Sequence, residues 1–93
     1  MAERTVVLRN PTGLHARPAE RFAREAARFE ADITVSKQQQ DSSVNAKSVL
    51  SVLTLDCRQG DEIMIRAEGE DAVQAVAYLS GLVEEGLGED VIR

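Results

Sequence analysis

Apolar positions change their spacing along this chain, and each change marks an element. Residues 4–9 (Arg-Thr-Val-Val-Leu-Arg) are apolar and β-branched and run into Asn10-Pro11-Thr12-Gly13, so they predict a short strand closed by a turn. From Pro18 to Phe29 the apolar residues Ala19, Phe22, Ala23, Ala26 and Phe29 recur at helical steps, while Arg17, Arg21, Arg24, Glu25 and Arg28 occupy the opposite face. Pro18 suits the first turn, where its missing N–H would have no partner anyway. Asp32-Ile33-Thr34-Val35-Ser36 alternates and predicts a second strand with Ile33 and Val35 inward.

Lys37 to Ser43 is polar and predicts a solvated turn into a short strand near Ser43–Asn45. Lys47 to Leu53 switches to helical spacing, with Ser48 placed to cap its start. Asp61 to Glu68 alternates through Ile63, Ile65 and Ala67, which predicts a further strand. Glu70 to Glu85 is a long amphipathic helix with Ala72, Val76, Leu79 and Val83 inward, Asp71 at its start and Gly86 at its stop. The order β-α-β-β-α-β-α, with one-sided helical stripes, predicts an α+β open-faced sandwich. Its four-stranded, mainly antiparallel sheet carries three helices packed on one face.

Composition narrows this picture. The 93 residues are read as one domain, 1–93, with core enough to fold without disulfide or metal. The single cysteine, Cys57, follows an aliphatic run and reads as a small buried hydrophobe. No segment approaches the ~20 apolar residues of a membrane helix, and the start lacks a signal-peptide apolar block, so a cytoplasmic chain is expected. The net charge of −5 argues against nucleic acid as the main partner. Residues 1–37 nonetheless carry +2 and residues 38–93 carry −7, so the first third can meet an acidic partner or a phosphoryl group.

His15 is the only histidine, and it stands between a turn glycine and a first-turn proline at a polar junction. A helix start offers unpaired N–H groups and about half a positive charge, which together bind anions. A phosphoryl group on His15 would meet the amides of Ala16 and Arg17, and the Arg17 guanidinium adds a donor fork suited to phosphate oxygens. An imidazole with an ordinary pKa of about 6.5 has a free lone pair near neutrality. It can accept a phosphoryl group and release it again. A zinc site has no second histidine or nearby cysteine to draw on, and no nucleophile elbow accompanies a triad, so no metal or cofactor is expected.

Leu8-Arg9-Asn10-Pro11-Thr12-Gly13-Leu14-His15-Ala16-Arg17-Pro18-Ala19 resembles the phosphorylation segment of HPr, the histidine-containing phosphocarrier family of the bacterial phosphoenolpyruvate-dependent sugar phosphotransferase system. Asn45-Ala46-Lys47-Ser48-Val49-Leu50 is similar to that family's regulatory-serine segment, and Glu85-Gly86-Leu87-Gly88-Glu89 to its usual ending. The chain departs from the pattern in a longer Lys37–Ser43 stretch, in Ser51 where glycine is frequent and in Leu50 where methionine is frequent.

The resemblance implies a phosphoryl carrier rather than an enzyme. His15, through Nδ1, would accept phosphate from phosphorylated enzyme I and donate it to the IIA components of sugar transporters. Ser48 would be a regulatory phosphorylation site served by a serine kinase/phosphorylase. Leu14, Val49, Leu50 and Leu53, rimmed by Arg17, Arg24 and Arg28, would form the docking surface, and a monomer is expected. The alternative is a purely regulatory module whose phosphorylated Ser48 form acts on a transcription regulator; His15 and Arg17 favour the carrier.

Overall fold

The computed structural model describes residues 1–38, 40 and 42–89. It contains β1 (Ala2–Val7), α1 (Ala16–Ala26), β2 (Asp32–Lys37), β3 (Ser43–Asn45), α2 (Val49–Leu53), β4 (Glu62–Glu68) and α3 (Ala72–Glu84). The strands form one antiparallel sheet in the order β1-β4-β2-β3. This is the expected α+β open-faced sandwich. The element order matches the alternation of spacing in the sequence, and the bounds move by a few residues at element ends.

Period-two alternation sets the faces of the sheet. On central β4, Ile63, Ile65 and Ala67 are fully buried, and their register partners Val6, Val35 and Ile33 are buried with them. The intervening residues Glu62, Arg66 and Glu68 are exposed, and Arg66 pairs with Glu3 of β1 at 2.9 Å on that open face. Arg4 has core-side parity but lies on the edge strand, so it reaches out to Glu84 of α3 at 3.2 Å. The helices cover the apolar face with Ala19, Phe22 and Ala26 of α1, Val52 of α2, and Ala75, Val76, Leu79 and Val83 of α3, all in one buried cluster. Fully burying a side chain such as Phe22 contributes roughly 1.5–3 kcal/mol.

Helix α1 ends at Ala26 and not at Phe29. The amides of Arg28 and Phe29 turn back to Glu25 and Ala26, three residues earlier, which tightens the chain out of the helix. Phe29 continues the apolar stripe in sequence, but its ring packs against Tyr78 of α3 with centroids 5.9 Å apart. Asp71 then joins the layers: its carboxylate accepts from the amides of Glu30 and Ala31 at 2.9 and 2.8 Å.

Candidate functional site

The segment before α1 is held from three directions. Gly13 has φ +68, and a Cβ there would lie 2.5 Å from the Cys57 carbonyl oxygen and 2.7 Å from Arg58 Cα. Glycine therefore permits both the turn and the close approach. Leu14 donates its amide to the same Cys57 carbonyl at 3.0 Å. The buried Asn10 donates from Nδ2 to the Gly13 carbonyl and to Glu89 Oε1, each at 2.9 Å. Glu89 also accepts from the Thr12 amide and, at 2.7 Å, from the Thr12 hydroxyl. These bonds, that from Asn10 foremost, hold the Glu89 carboxyl below its ordinary pKa.

The site itself starts at His15. Its backbone is extended (φ −130, ψ 161) at the N-cap position of α1, and no side chain caps the helix. The Ala19 amide reaches the His15 carbonyl, Pro18 has no N–H, and among the described residues the amides of Ala16 and Arg17 have no hydrogen-bond partner. Ala16 has φ +50, the left-handed region that an alanine rarely enters. The imidazole is about one-third exposed, with a side-chain accessibility of 34%. Arg17 is exposed and, among the described residues, has no ion-pair partner. Arg17, Arg21 and Arg24 line a groove together with Glu20, Leu87, Gly88 and Glu89.

Sequence reasoning missed Asp56. The stretch leaving α2 brings its carboxylate to 3.2 Å from His15 Nε2, and Arg58 lies 3.5 Å from the second Asp56 oxygen. Asp56 lies 41 positions from His15, in a segment without periodicity, so no local signal announced the contact. Glu89 and Asn10 were part of recognised segments, but nothing in them indicated that they bond each other across the fold. Cys57 is buried, and burial pushes its thiol up to about 11, which fits the structural reading of that residue. Among the described residues no helix is long and apolar enough to cross a membrane.

At the second segment, Ser48 is the N-cap of α2, and its hydroxyl accepts from the Ser51 amide at 3.2 Å. The apolar docking surface needs one correction. Leu14 is fully buried in the core cluster, because its amide is tied to Cys57 and its side chain packs beneath the loop. Leu53 is half-buried and packs on the same core, and Val49 is half-buried. Leu50 is 78% exposed, and Arg24 is exposed on α1.

An imidazole at an uncapped helix start, on an open-faced sandwich, defines the class of small histidine-containing phosphocarriers. Residues 2–85 match the family described as "PTS HPr component phosphorylation site". The chain belongs to the HPr family, the phosphocarriers of the phosphotransferase system. It is 44% identical over 89 residues to phosphocarrier protein HPr of Streptomyces coelicolor, covering 96% of this chain and 95% of that protein. It is 39% identical over 85 residues to the HPr-like protein Crh of Bacillus subtilis, covering 91% and 98% of the two chains. The solved HPr structure from Thermoanaerobacter tengcongensis superposes with a TM-score of 0.91 at 40% identity, covering 98% of this chain and all of that one. An HPr from that organism has also been solved as a dimer. The chain spans 18% of the multiphosphoryl transfer protein of Haemophilus influenzae, to which it is 40% identical over 88 residues.

Proposed function

We propose that His15 accepts a phosphoryl group from phosphorylated enzyme I, charged from phosphoenolpyruvate, and passes it to a IIA component of a sugar transporter. The observation that carries this reading is the position of His15: one-third exposed at the N-cap of α1, with the amides of Ala16 and Arg17 unclaimed among the described residues. In the transfer, the lone pair of Nδ1 forms an N–P bond while the bond from phosphorus to the donor breaks and its electron pair leaves with the donor. The contact with Asp56 is made through Nε2, which leaves Nδ1 for this step. The helix-start amides and Arg17 stabilise the dianionic passenger, and imidazole remains a good leaving group for the onward step. No cofactor is required.

Docking falls to the exposed Leu50 and the basic face of α1 carrying Arg17 and Arg24, a surface suited to acidic-rimmed partners. The working unit is a cytoplasmic monomer, since one exposed face must meet donor and acceptor in turn; a solution mass of twice the chain mass contradicts this.

Incubation with enzyme I and labelled phosphoenolpyruvate tests the reading. The expected label is acid-labile and base-stable and is absent from His15→Ala; an active enzyme I that leaves the chain unlabelled overturns it. Arg17→Ala is expected to slow transfer while changing stability by less than about 0.5 kcal/mol, because the side chain is exposed. Unchanged transfer rates remove Arg17 from the reaction.

A second reading is favoured by the Ser48 cap and the similarity to Crh. Phosphate on Ser48 would sit at the start of α2, place negative charge on the docking surface, and regulate partner choice, with a transcription regulator as one recipient. An ATP-dependent serine kinase/phosphorylase is expected to leave acid-stable label that Ser48→Ala removes. No such label counts against regulation at this residue.

A further inference from the structure

Asp56 occupies a backbone conformation that L-residues avoid. Its φ is +49, in the left-handed region, and its side chain is 60% exposed. A non-glycine residue is strained in that region, although aspartate and asparagine tolerate it better than most. The Asp56 amide donates to the Leu53 carbonyl at 3.2 Å, so its left-handed backbone belongs to the turn that leaves α2, but the carboxylate itself makes no hydrogen bond among the described residues. What the carboxylate does touch is His15 Nε2 at 3.2 Å and, on its other oxygen, the Arg58 guanidinium at 3.5 Å. The Asp56 carbonyl accepts from Lys37 Nζ at 3.2 Å, which helps to hold this turn in place.

A carboxylate oxygen facing a ring nitrogen at this distance is repelled by a lone pair and attracted by an N–H. Of the two neutral imidazole tautomers, the one with its proton on Nε2 is therefore favoured, and it carries its lone pair on Nδ1. On the carrier reading given above, we propose that Asp56 is a positioning residue for His15: its charge, without a hydrogen bond, favours the proton on Nε2 and leaves Nδ1 as the nucleophile.

The same contact acts during transfer. When the Nδ1–P bond forms and the phosphorus–donor bond breaks, the Nε2 proton stays in place, so the ring becomes a cation bearing a phosphoryl dianion. The Asp56 carboxylate then faces the positive Nε2–H edge while the α1 amides and Arg17 face the phosphoryl oxygens. In the onward transfer the N–P electron pair returns to Nδ1 and the ring is neutral again. No proton enters or leaves in either direction. The phosphoryl end and the proton end of the imidazole are thus held by different elements, α1 on one side and the turn after α2 on the other.

Two variants separate this role from a structural one. Asp56→Asn keeps the size and the tolerance of positive φ but loses the charge, whereas Asp56→Gly loses the side chain and relieves the backbone. Two readouts are taken on both: the 15N and 1H spectra of the His15 ring in the unphosphorylated protein, and the rate of phosphoryl acceptance from enzyme I.

Both variants are expected to lose part of the Nε2–H tautomer in favour of Nδ1–H and to accept phosphate about two- to tenfold more slowly, the range set by a partly exposed charge contact. Asp56→Gly is expected to do so without losing thermal stability, since glycine adopts this conformation freely. A ring tautomer unchanged in both variants, or acceptance rates equal to the wild-type rate, overturns the proposal. The spectra need no phosphoryl donor, so a chain that takes no label at all refutes the carrier reading and leaves the Asp56–His15 contact to be judged on the ring signals alone.

Discussion

His15 and Leu14 are neighbours in sequence with opposite fates. The Leu14 side chain is fully buried, while the His15 imidazole one residue later lies partly in solvent at the mouth of α1. Sequence alone places Leu14, beside His15, on a docking surface, but burial depends on which way the loop turns. That direction is fixed by the Leu14–Cys57 bond and by the close approach of Gly13, both long-range. Leu14→Ala is therefore expected to behave as a core deletion and lower stability by roughly 2–5 kcal/mol. Leu50→Ala, at an exposed position, is expected to stay within about 0.5 kcal/mol of wild type yet weaken binding to enzyme I. Denaturant unfolding and a binding titration on the two variants check the contrast; equal stability losses would contradict the assigned burial. Asp56 belongs to the same lesson, since composition and spacing place it nowhere and only the fold brings it to the imidazole.

At the scale of elements, strands and helices were legible because each buries a single face, and period two or period 3.6 follows directly. What the pattern did not carry is where an element stops. Phe29 extends the α1 stripe but leaves the helix to pack on Tyr78, and β1 starts at Ala2 because it pairs with Ala67 at the far end of β4. The start of α2 was readable, since a serine before a short apolar run has one helical use, and Ser48 does accept from the Ser51 amide. Ser48→Ala is expected to cost about 1 kcal/mol by removing that cap. Ser48→Asp, which supplies another good cap and a negative charge, is expected to retain stability while weakening partner binding. Thermal unfolding with a binding titration decides; full binding by Ser48→Asp would remove charge at this position as a means of control.

Across the whole molecule, four carboxylates among the described residues tie distant segments and are held below their ordinary pKa values. The first is Glu25, which accepts from the Tyr78 hydroxyl at 2.7 Å. Glu89 is bound by the Asn10 side chain and by Thr12, Asp61 by the Arg58 amide with Lys37 nearby, and Asp71 by the amides of Glu30 and Ala31. Each binds a proton more weakly when folded than when unfolded, so its contribution is full above the ordinary carboxylate range and is lost as pH falls through the lowered folded-state value. The melting temperature is expected to decline as pH drops from about 5 to about 3, and Glu89→Gln to show a shallower decline. A melting temperature that is flat over that range would contradict the bonding assigned to these groups. Glu89 also links the tail to the loop before His15, so the last described residue of the chain helps to shape the site. Phosphoryl transfer through this chain requires a phosphoryl group joined to one ring nitrogen of His15. It is tested most directly by phosphorus–nitrogen NMR on 15N-histidine-labelled protein after charging by enzyme I and phosphoenolpyruvate. The predicted result is one phosphorus signal coupled to Nδ1 of His15; phosphorus that appears without nitrogen coupling, or none at all, would contradict it.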